Sequence, residues 1–108
     1  MTVNELIAKT SLKASALPDG EREVKGVYMG DLLSWVMGRA VADDAWITIM
    51  SNSNIVAVAT LADMACIILV EGVEPDDGVV ELALQKSINI LQSEQSAYKT
   101  ALMLAEIL

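Results

Sequence analysis

Short apolar runs along the chain predict the strands of a central sheet. Residues 24–29, 45–50 and 66–70 have the length of strands, and the last two runs are apolar on both sides, which is typical of strands buried on both faces. Residues 88–91 predict another short strand, and the weaker alternation of residues 11–17 predicts a first one. The pattern therefore indicates a sheet of about four to five strands.

Helix signals separate these strands. Thr2 and Glu5 have the spacing of a capping box, and Asp31 is placed to cap a helix that extends to Met37. Three more helices are predicted, over residues 55–64, from residue 75 to about residue 87, and over residues 96–107. Because strands and helices alternate from residue 24 onward, we predict one α/β domain over residues 1–108, with a largely parallel or mixed sheet and flanking helices.

Composition and charge exclude two classes of partner. The chain carries a net charge of −8 and its basic residues are scattered, so we expect no binding to nucleic acid. No apolar stretch reaches the length of about 20 residues that a membrane span needs, and the first residues show no signal-peptide pattern. We therefore expect a cytoplasmic protein that does not contact membranes.

The hydrophobic fraction is 54% without any Phe, which predicts a core of aliphatic and Met side chains.

The absence of His narrows the chemistry that the chain can perform. It excludes histidine zinc sites, Ser–His and Cys–His nucleophiles, and histidine acid–base catalysis. No glycine-rich phosphate loop is present. The single Cys66 lies in an apolar run and is expected to be an inert buried thiol. We accordingly expect a protein that is not an enzyme, with no catalytic residue, no cofactor and no metal.

Two adjacent acidic pairs, at residues 43–44 and 76–77, are the remaining candidates for metal chemistry. Paired carboxylates bind divalent cations or share a proton. Both pairs flank predicted helix or strand ends, where acidic side chains are favoured for simpler reasons. A metal-dependent enzyme is thus the least favoured of three functional alternatives.

The polar segment at residues 51–54, between the predicted strand at 45–50 and the next helix, is the best candidate for ligand binding. In a parallel α/β sheet, ligands bind beyond the carboxyl ends of the strands, where helix N-termini offer free N–H groups. The same segment also suits simple helix capping. The last strand is followed by an equivalent polar turn, although a Glu there disfavours an anion. The candidate ligand-binding residues are Ser51, Asn52, Ser53, Asn54, Ser93 and Ser96.

The two tryptophans are expected in the core, Trp46 on a strand and Trp35 on a helix. An exposed Trp35 would instead mark a surface for a partner protein. The candidate residues of that partner face are Met29, Leu32, Trp35 and Met37.

Several segments together resemble the DRTGG domain family. They are EVKGVYMGDLLSWVMGRA at residues 23–40, AWITIM at 45–50, NIVAVATLAD at 54–63, CIILVEG at 66–72 and ILQS at 90–93. The resemblance implies an α/β fold similar to the N-terminal domain of HPr kinase/phosphorylase, here as a domain standing alone. It also implies a regulatory unit of the kind that often dimerises and, in some members, helps to bind adenine nucleotides at this strand end.

The chain departs from the family pattern after its central strand. A Gly-Asp-Arg-like element is replaced by residues 51–54, so the Arg that could pair with a phosphate is missing. Nucleotide binding and kinase activity are therefore not carried over. The first functional hypothesis is a homodimeric regulatory module that modulates a partner protein. The second is a sensor of a nucleotide or phosphorylated metabolite that binds at residues 51–54.

Overall fold

The computed structural model describes residues 1–108 and contains five helices and five strands. In chain order they are α1 Val3–Lys9, β1 Lys13–Ala16, β2 Gly26–Met29, α2 Leu33–Arg39, β3 Asp44–Thr48, α3 Asn54–Leu61, β4 Cys66–Leu69, α4 Val79–Lys86, β5 Ile90–Gln92 and α5 Ala97–Ile107. The predicted α/β architecture is confirmed, and each predicted strand and helix has a counterpart.

The strands form one mixed sheet in the order β1-β5-β4-β3-β2. The four strands β2 to β5 are parallel, and each is joined to the next by one helix, as parallel pairing requires. Strand β1 pairs antiparallel with β5, with a shift of register between Ala14 and Ala16. Strands β1 and β2 are therefore the two edges of the sheet.

Helices cover both faces of this sheet. The core on one face includes buried residues of α2, α3 and α4, and the core on the other face includes buried residues of α1 and α5. The three crossover helices share one face because successive parallel strands are added in one direction with the same hand. The longest helix, α5, has 11 residues. None of the helices combines the length and the apolar character that crossing a membrane requires.

The centre of the sheet is buried on both faces, as its uninterrupted apolar sequence predicts. Every residue of β3 and β4 is buried. Trp46 on β3 is completely inaccessible to solvent and has the largest side chain of the core. Cys66 at the start of β4 is also completely buried. The predicted burial of Trp46 and Cys66 is therefore confirmed, and aliphatic residues fill most of the remaining core.

Two helices begin differently from their sequence signals. Helix α2 has Leu32 at its N-cap with no side-chain hydrogen bond, because the carboxylate of Asp31 is engaged by β3 instead. Helix α4 begins at Val79, after Gly78 in a left-handed conformation with φ of +84°, rather than at Pro75. In contrast, the capping box of α1 is present, with the Thr2 side chain accepting from the Glu5 N–H and the Glu5 side chain accepting from the Thr2 N–H.

Candidate functional site

The carboxyl ends of the four parallel strands lie at one end of the sheet, where Asp31 joins the ends of β2 and β3. Asp31 follows β2, and its Oδ1 accepts a hydrogen bond of 2.7 Å from the Thr48 hydroxyl at the end of β3. The same oxygen accepts a second bond, of 2.9 Å, from the backbone N–H of Ile49. Asp31 therefore fixes the path of the chain as it leaves β3. Sequence reasoning assigned it to helix capping and missed this long-range role.

Residues 51–54 leave β3 and form the turn before α3. The Ser51 hydroxyl donates to Asp76 Oδ1 at 2.8 Å, and the Asp76 N–H donates to the Ser51 carbonyl at 3.0 Å. The Asn52 side chain accepts from the Asn54 N–H at 2.9 Å, so it stabilises the turn as a capping residue would. The side chains of Ser53 and Asn54 are exposed and make no hydrogen bond within the protein. Of the four candidates, those two are free for a ligand.

The polar turn after β5 is occupied by structural hydrogen bonds. Ser93 is buried, its hydroxyl lies 2.9 Å from that of Thr100, and it also accepts from the Gln95 N–H. Ser96 is the N-cap of α5, and its hydroxyl accepts from the Lys99 N–H at 3.2 Å. Both serines therefore serve the start of α5, which is the simpler of the two interpretations of their positions.

Carboxylates surround the carboxyl ends of the parallel strands. They follow β2, β4 and β5, at Asp31, Glu71, Glu74, Asp76, Asp77 and Glu94. Such a field repels phosphates and other anions. This end of the sheet is therefore better suited electrostatically to a neutral or cationic group than to a nucleotide.

Two cavities are present, and neither is lined by a predicted ligand-binding residue. A cavity of about 60 Å³ lies at the strand ends beside α5, with Asp31, Thr48 and Ala97 in its wall. Sites for small molecules usually enclose about 300–1,000 Å³, so this cavity is too small for a nucleotide. A more open groove of about 250 Å³ runs between α3 and α4, lined mainly by apolar residues such as Val56, Leu61 and Leu82. Sequence reasoning missed this groove.

All four residues of the predicted partner face are exposed. The exposed fractions are 53% for Met29, 59% for Leu32, 53% for Trp35 and 45% for Met37. The expectation that Trp35 lies in the core is thus wrong, because α2 turns Val36 rather than Trp35 toward the sheet. The guanidinium of Arg39 stacks on the exposed indole, 3.9 Å from the ring centroid.

These four residues do not form one continuous patch. Leu32 and Trp35 are three positions apart and share one flank of α2. With about 100° between successive helical residues, Met37 falls on the other side of the buried stripe that contains Val36. Met29 belongs to the opposite face of the sheet, the face that α5 partly covers, because it pairs with Ile47 of that core.

The face of β2 beside α5 therefore exposes its own apolar group. Val27 and Met29 alternate with Tyr28 along the strand, and their exposed fractions are 40% and 53%. Ile49, just beyond β3, is 48% exposed. Its odd position places it on the same face as Met29. We call β2 together with Val27, Met29 and Ile49 the open edge. Sequence reasoning found only Met29 of this group, although Val27 has the same parity in the strand.

The amino ends of the strands carry a compact ion-pair cluster around Arg22. The guanidinium donates to Asp43 Oδ1 at 3.0 Å, and to the carbonyl and side chain of Asp63 at 2.7 and 2.9 Å. The hydrogen bond from Arg22 holds the pKa of Asp43 below its usual value. Because Asp43 directly precedes β3 and Asp76 lies beyond β4, one acidic pair is at the amino ends of the parallel strands and the other is at their carboxyl ends. They cannot share one metal site.

The fold and these sites can be compared with known proteins. The DRTGG domain family matches residues 9–107. No curated protein matches the chain. Among solved structures, it is similar to the CBS and DRTGG domains of the regulatory region of a Clostridium perfringens pyrophosphatase, complexed with the activator diadenosine tetraphosphate.

That similarity has a TM-score of 0.73 at 14% sequence identity, and it covers 94% of this chain and 45% of the other. The chain thus spans less than half the length of that structure, and at this identity the similarity concerns the fold. The family match covers almost the whole sequence and agrees with the segments that resemble the family. The chain belongs to the DRTGG domain family.

Proposed function

We propose that this DRTGG domain is a non-enzymatic regulatory module that acts as a homodimer and modulates a partner protein. The observation that carries this proposal is the number of exposed large apolar side chains on β2 and at the start of α2, which lie in two groups on opposite faces of the sheet. Met29, Leu32 and Trp35 are each more than half exposed. Large apolar groups kept in water near one another are typical of protein interfaces.

Two further observations support a regulatory role. The DRTGG domain of the structurally similar pyrophosphatase is part of a regulatory region. In the present chain, the polar side chains that cluster at the strand ends mostly hold turns and helix starts in place. The free buried thiol of Cys66 fits the reducing conditions of the cytoplasm, which is the compartment we propose.

Sedimentation equilibrium at about 10–100 µM tests the self-association, since a homodimer must dissociate on dilution by mass action. Capture from cell extract tests the partner, with Leu32→Glu/Trp35→Glu as the interface variant. Leu61→Glu on α3 is the matched control, because Leu61 is 72% exposed but lies outside the β2 and α2 region. A partner that binds the wild type and the control but not the interface variant supports the proposal. A monomer that captures the same proteins in all three forms contradicts it.

The second candidate function is a sensor of a nucleotide or phosphorylated metabolite. It is favoured by the free side chains of Ser53 and Asn54 at the turn between β3 and α3. The activator bound in the similar pyrophosphatase regulatory region is a dinucleoside polyphosphate. The surrounding carboxylates oppose an anion here, so this function ranks second.

Thermal-shift measurements with diadenosine tetraphosphate, mononucleotides and phosphorylated metabolites test the sensor function. A ligand that binds only the folded state raises Tm, by an amount that grows with its concentration. The Ser53→Ala/Asn54→Ala variant should lose the shift and keep the unliganded Tm, because neither side chain bonds within the protein. If no compound raises Tm at millimolar concentration, the sensor function is excluded for these ligand classes.

A further inference from the structure

The two edges of the sheet are protected very differently. Strand β1 carries the exposed Lys13, contains a register shift and is followed closely by Pro18. A lysine, a bulge and a proline are devices that stop an edge strand from pairing with another chain. Strand β2 itself contains none of them, and its one neighbouring lysine is Lys25, directly before the strand: its sequence is Gly-Val-Tyr-Met and its register with β3 is unbroken.

The backbone of β2 presents free hydrogen-bonding groups at this open edge. The Gly30 N–H donates to the Ile47 carbonyl, so Tyr28 and Gly30 direct their backbone groups toward β3. This alternation applies to β2 itself, because just before the strand the Lys25 N–H donates to the Asp43 carbonyl. In a parallel ladder the alternate residues point the other way. The N–H and C=O groups of Val27 and Met29 are therefore directed away from the sheet. They are placed to accept another strand.

We infer that the open edge is occupied by β2 of a second copy of this chain, antiparallel and with the two-fold axis at Tyr28. This inference rests on the proposed homodimer and specifies its interface. In that register Val27 of each copy lies opposite Met29 of the other, and both pairs have outward backbone groups. About four hydrogen bonds would join the two strands. The result is one continuous sheet across two copies.

Charge complementarity selects this occupant. Lys25 directly precedes β2 and Asp31 follows it after Gly30. Antiparallel pairing about Tyr28 brings the start of β2 in one copy next to its end in the other, so Lys25 of each copy lies close to Asp31 of the other, twice by symmetry. The Lys25 side chain is 70% exposed and makes a single 3.4 Å contact, with Asp43. Asp31 uses only Oδ1 within its own chain. Opposite charges directly across an antiparallel pair stabilise it, and like charges destabilise it.

The side chains on both faces also suit self-pairing. On the face beside α5, Val27 and Met29 of one copy meet Met29 and Val27 of the other, flanked by Ile49. On the other face the two Tyr28 rings lie near the axis. Gly26 of one copy lies opposite Gly30 of the other, so no side chain obstructs the approach of the two strands at these positions.

Hydrogen exchange of individual amides tests this pairing directly. The Val27 and Met29 amides should exchange rapidly at low protein concentration and become protected as the concentration rises. The variant Met29→Pro removes an outward N–H without removing a bond to β3, and it should abolish both dimer and protection. The control Leu61→Glu should dimerise as the wild type does.

A charge exchange tests the register. The variant Lys25→Glu brings like charges together in its own homodimer, and Asp31→Asn removes the attraction while it keeps an oxygen that can accept from Thr48 and Ile49. Each should weaken dimerisation by roughly tenfold at low salt. A mixture of the two variants restores one opposite-charge pair, between Asp31 of the Lys25→Glu chain and Lys25 of the Asp31→Asn chain, which neither homodimer has, so heterodimers should form preferentially in it. This arm stays informative if Met29→Pro fails to fold.

The outcomes separate this inference from the proposed homodimer. A dimer whose Val27 and Met29 amides stay unprotected, or whose charge variants do not prefer each other, overturns the β2 interface and leaves the homodimer standing. A chain that is monomeric at every concentration contradicts both. A monomer in which these amides become protected only when a different protein is added also overturns the inference, because that strand would then be the occupant.

Discussion

The indole Nε1 of Trp46 donates a hydrogen bond of 2.8 Å to the backbone carbonyl of Gly30. A completely buried side chain on β3 thereby fixes the residue that follows β2. The carbonyl of Gly30 thus has a partner inside the domain, on the same residue whose N–H donates to Ile47. Both backbone groups of Gly30 are therefore bound to β3, which fixes the end of β2 against the sheet.

Replacing Trp46 should reduce stability strongly. Trp46→Phe removes part of a buried ring and leaves the Gly30 carbonyl without its donor, and together these effects should cost about 2–4 kcal/mol of unfolding free energy. Urea denaturation measures the loss. Trp35→Phe is the matched control and should change stability by less than about 0.5 kcal/mol, because Trp35 lies on the surface. Equal effects of the two substitutions would contradict this assignment of core and surface.

The Arg22 cluster predicts a stability difference that depends on pH. Arg22 lowers the pKa of Asp43 below its usual 3.8, so the ion pair stabilises the fold above that pH and its contribution is lost as pH falls through the folded-state pKa. The variant Arg22→Gln should therefore be less stable than the wild type at neutral pH, with a gap that narrows below about pH 4. Denaturation curves at several pH values measure this gap.

The control for this prediction is Arg39→Gln. Arg39 stacks on Trp35 and forms no salt bridge, so its replacement should have an effect that hardly varies with pH. A gap between the wild type and Arg22→Gln that is as large at pH 3 as at pH 7 would show that the ion pair with Asp43 is not its source.

Asn89 should be a second position at which substitution strongly destabilises the fold. It is buried, its amide nitrogen donates to the carbonyls of Asp19 and Ala65, and its oxygen accepts from the Asp19 N–H. Asn89→Ala leaves several backbone groups without partners and should cost about 2–4 kcal/mol. The matched control is Asn52→Ala, which removes one local bond at a half-exposed turn. Thermal or urea unfolding compares the two, and a milder effect at position 89 than at 52 would disprove the prediction.

Cys66 should react only when the domain opens. Burial raises the pKa of the Cys66 thiol to about 12, so the native protein contains almost no thiolate at neutral pH. Alkylation by iodoacetamide should be slow in the native state and accelerate with urea along the unfolding transition. Mass spectrometry follows the modification, with Cys66→Ala as the blank. Alkylation of the native protein at the rate of a free thiol would contradict the burial of this side chain.

Local patterns in the sequence were sufficient for much of the fold. β3 and β4 are apolar on both sides because both of their faces are covered, and this leaves an unbroken run in the sequence. The capping box at Thr2 is equally local, since both of its hydrogen bonds join residues three apart. Features of this kind depend on neighbouring residues alone.

Long-range contacts explain what the sequence did not predict. Asp31 resembles a helix cap in sequence, yet its partners Thr48 and Ile49 come from another strand. The start of α4 is displaced because Asp76 is tied to Ser51 across the strand ends. Trp35 was placed in the core because hydrophobicity alone does not distinguish the buried side of α2 from its exposed flank. The same holds for the six candidate ligand-binding residues. Whether each of them is free to bind a ligand depends on which hydroxyl and amide groups remain without a hydrogen bond after folding, and the sequence alone does not show this.

The asymmetry of the two sheet edges limits how far the molecule can assemble. The proposed strand addition at β2 would use the one unprotected edge of each copy, and Lys13, the register shift and Pro18 at the far edge offer no template for a further strand. Growth by this route would end at a closed pair and could not propagate into a filament. A short β2 can thus remain apolar and uncharged in a concentrated solution without seeding fibres.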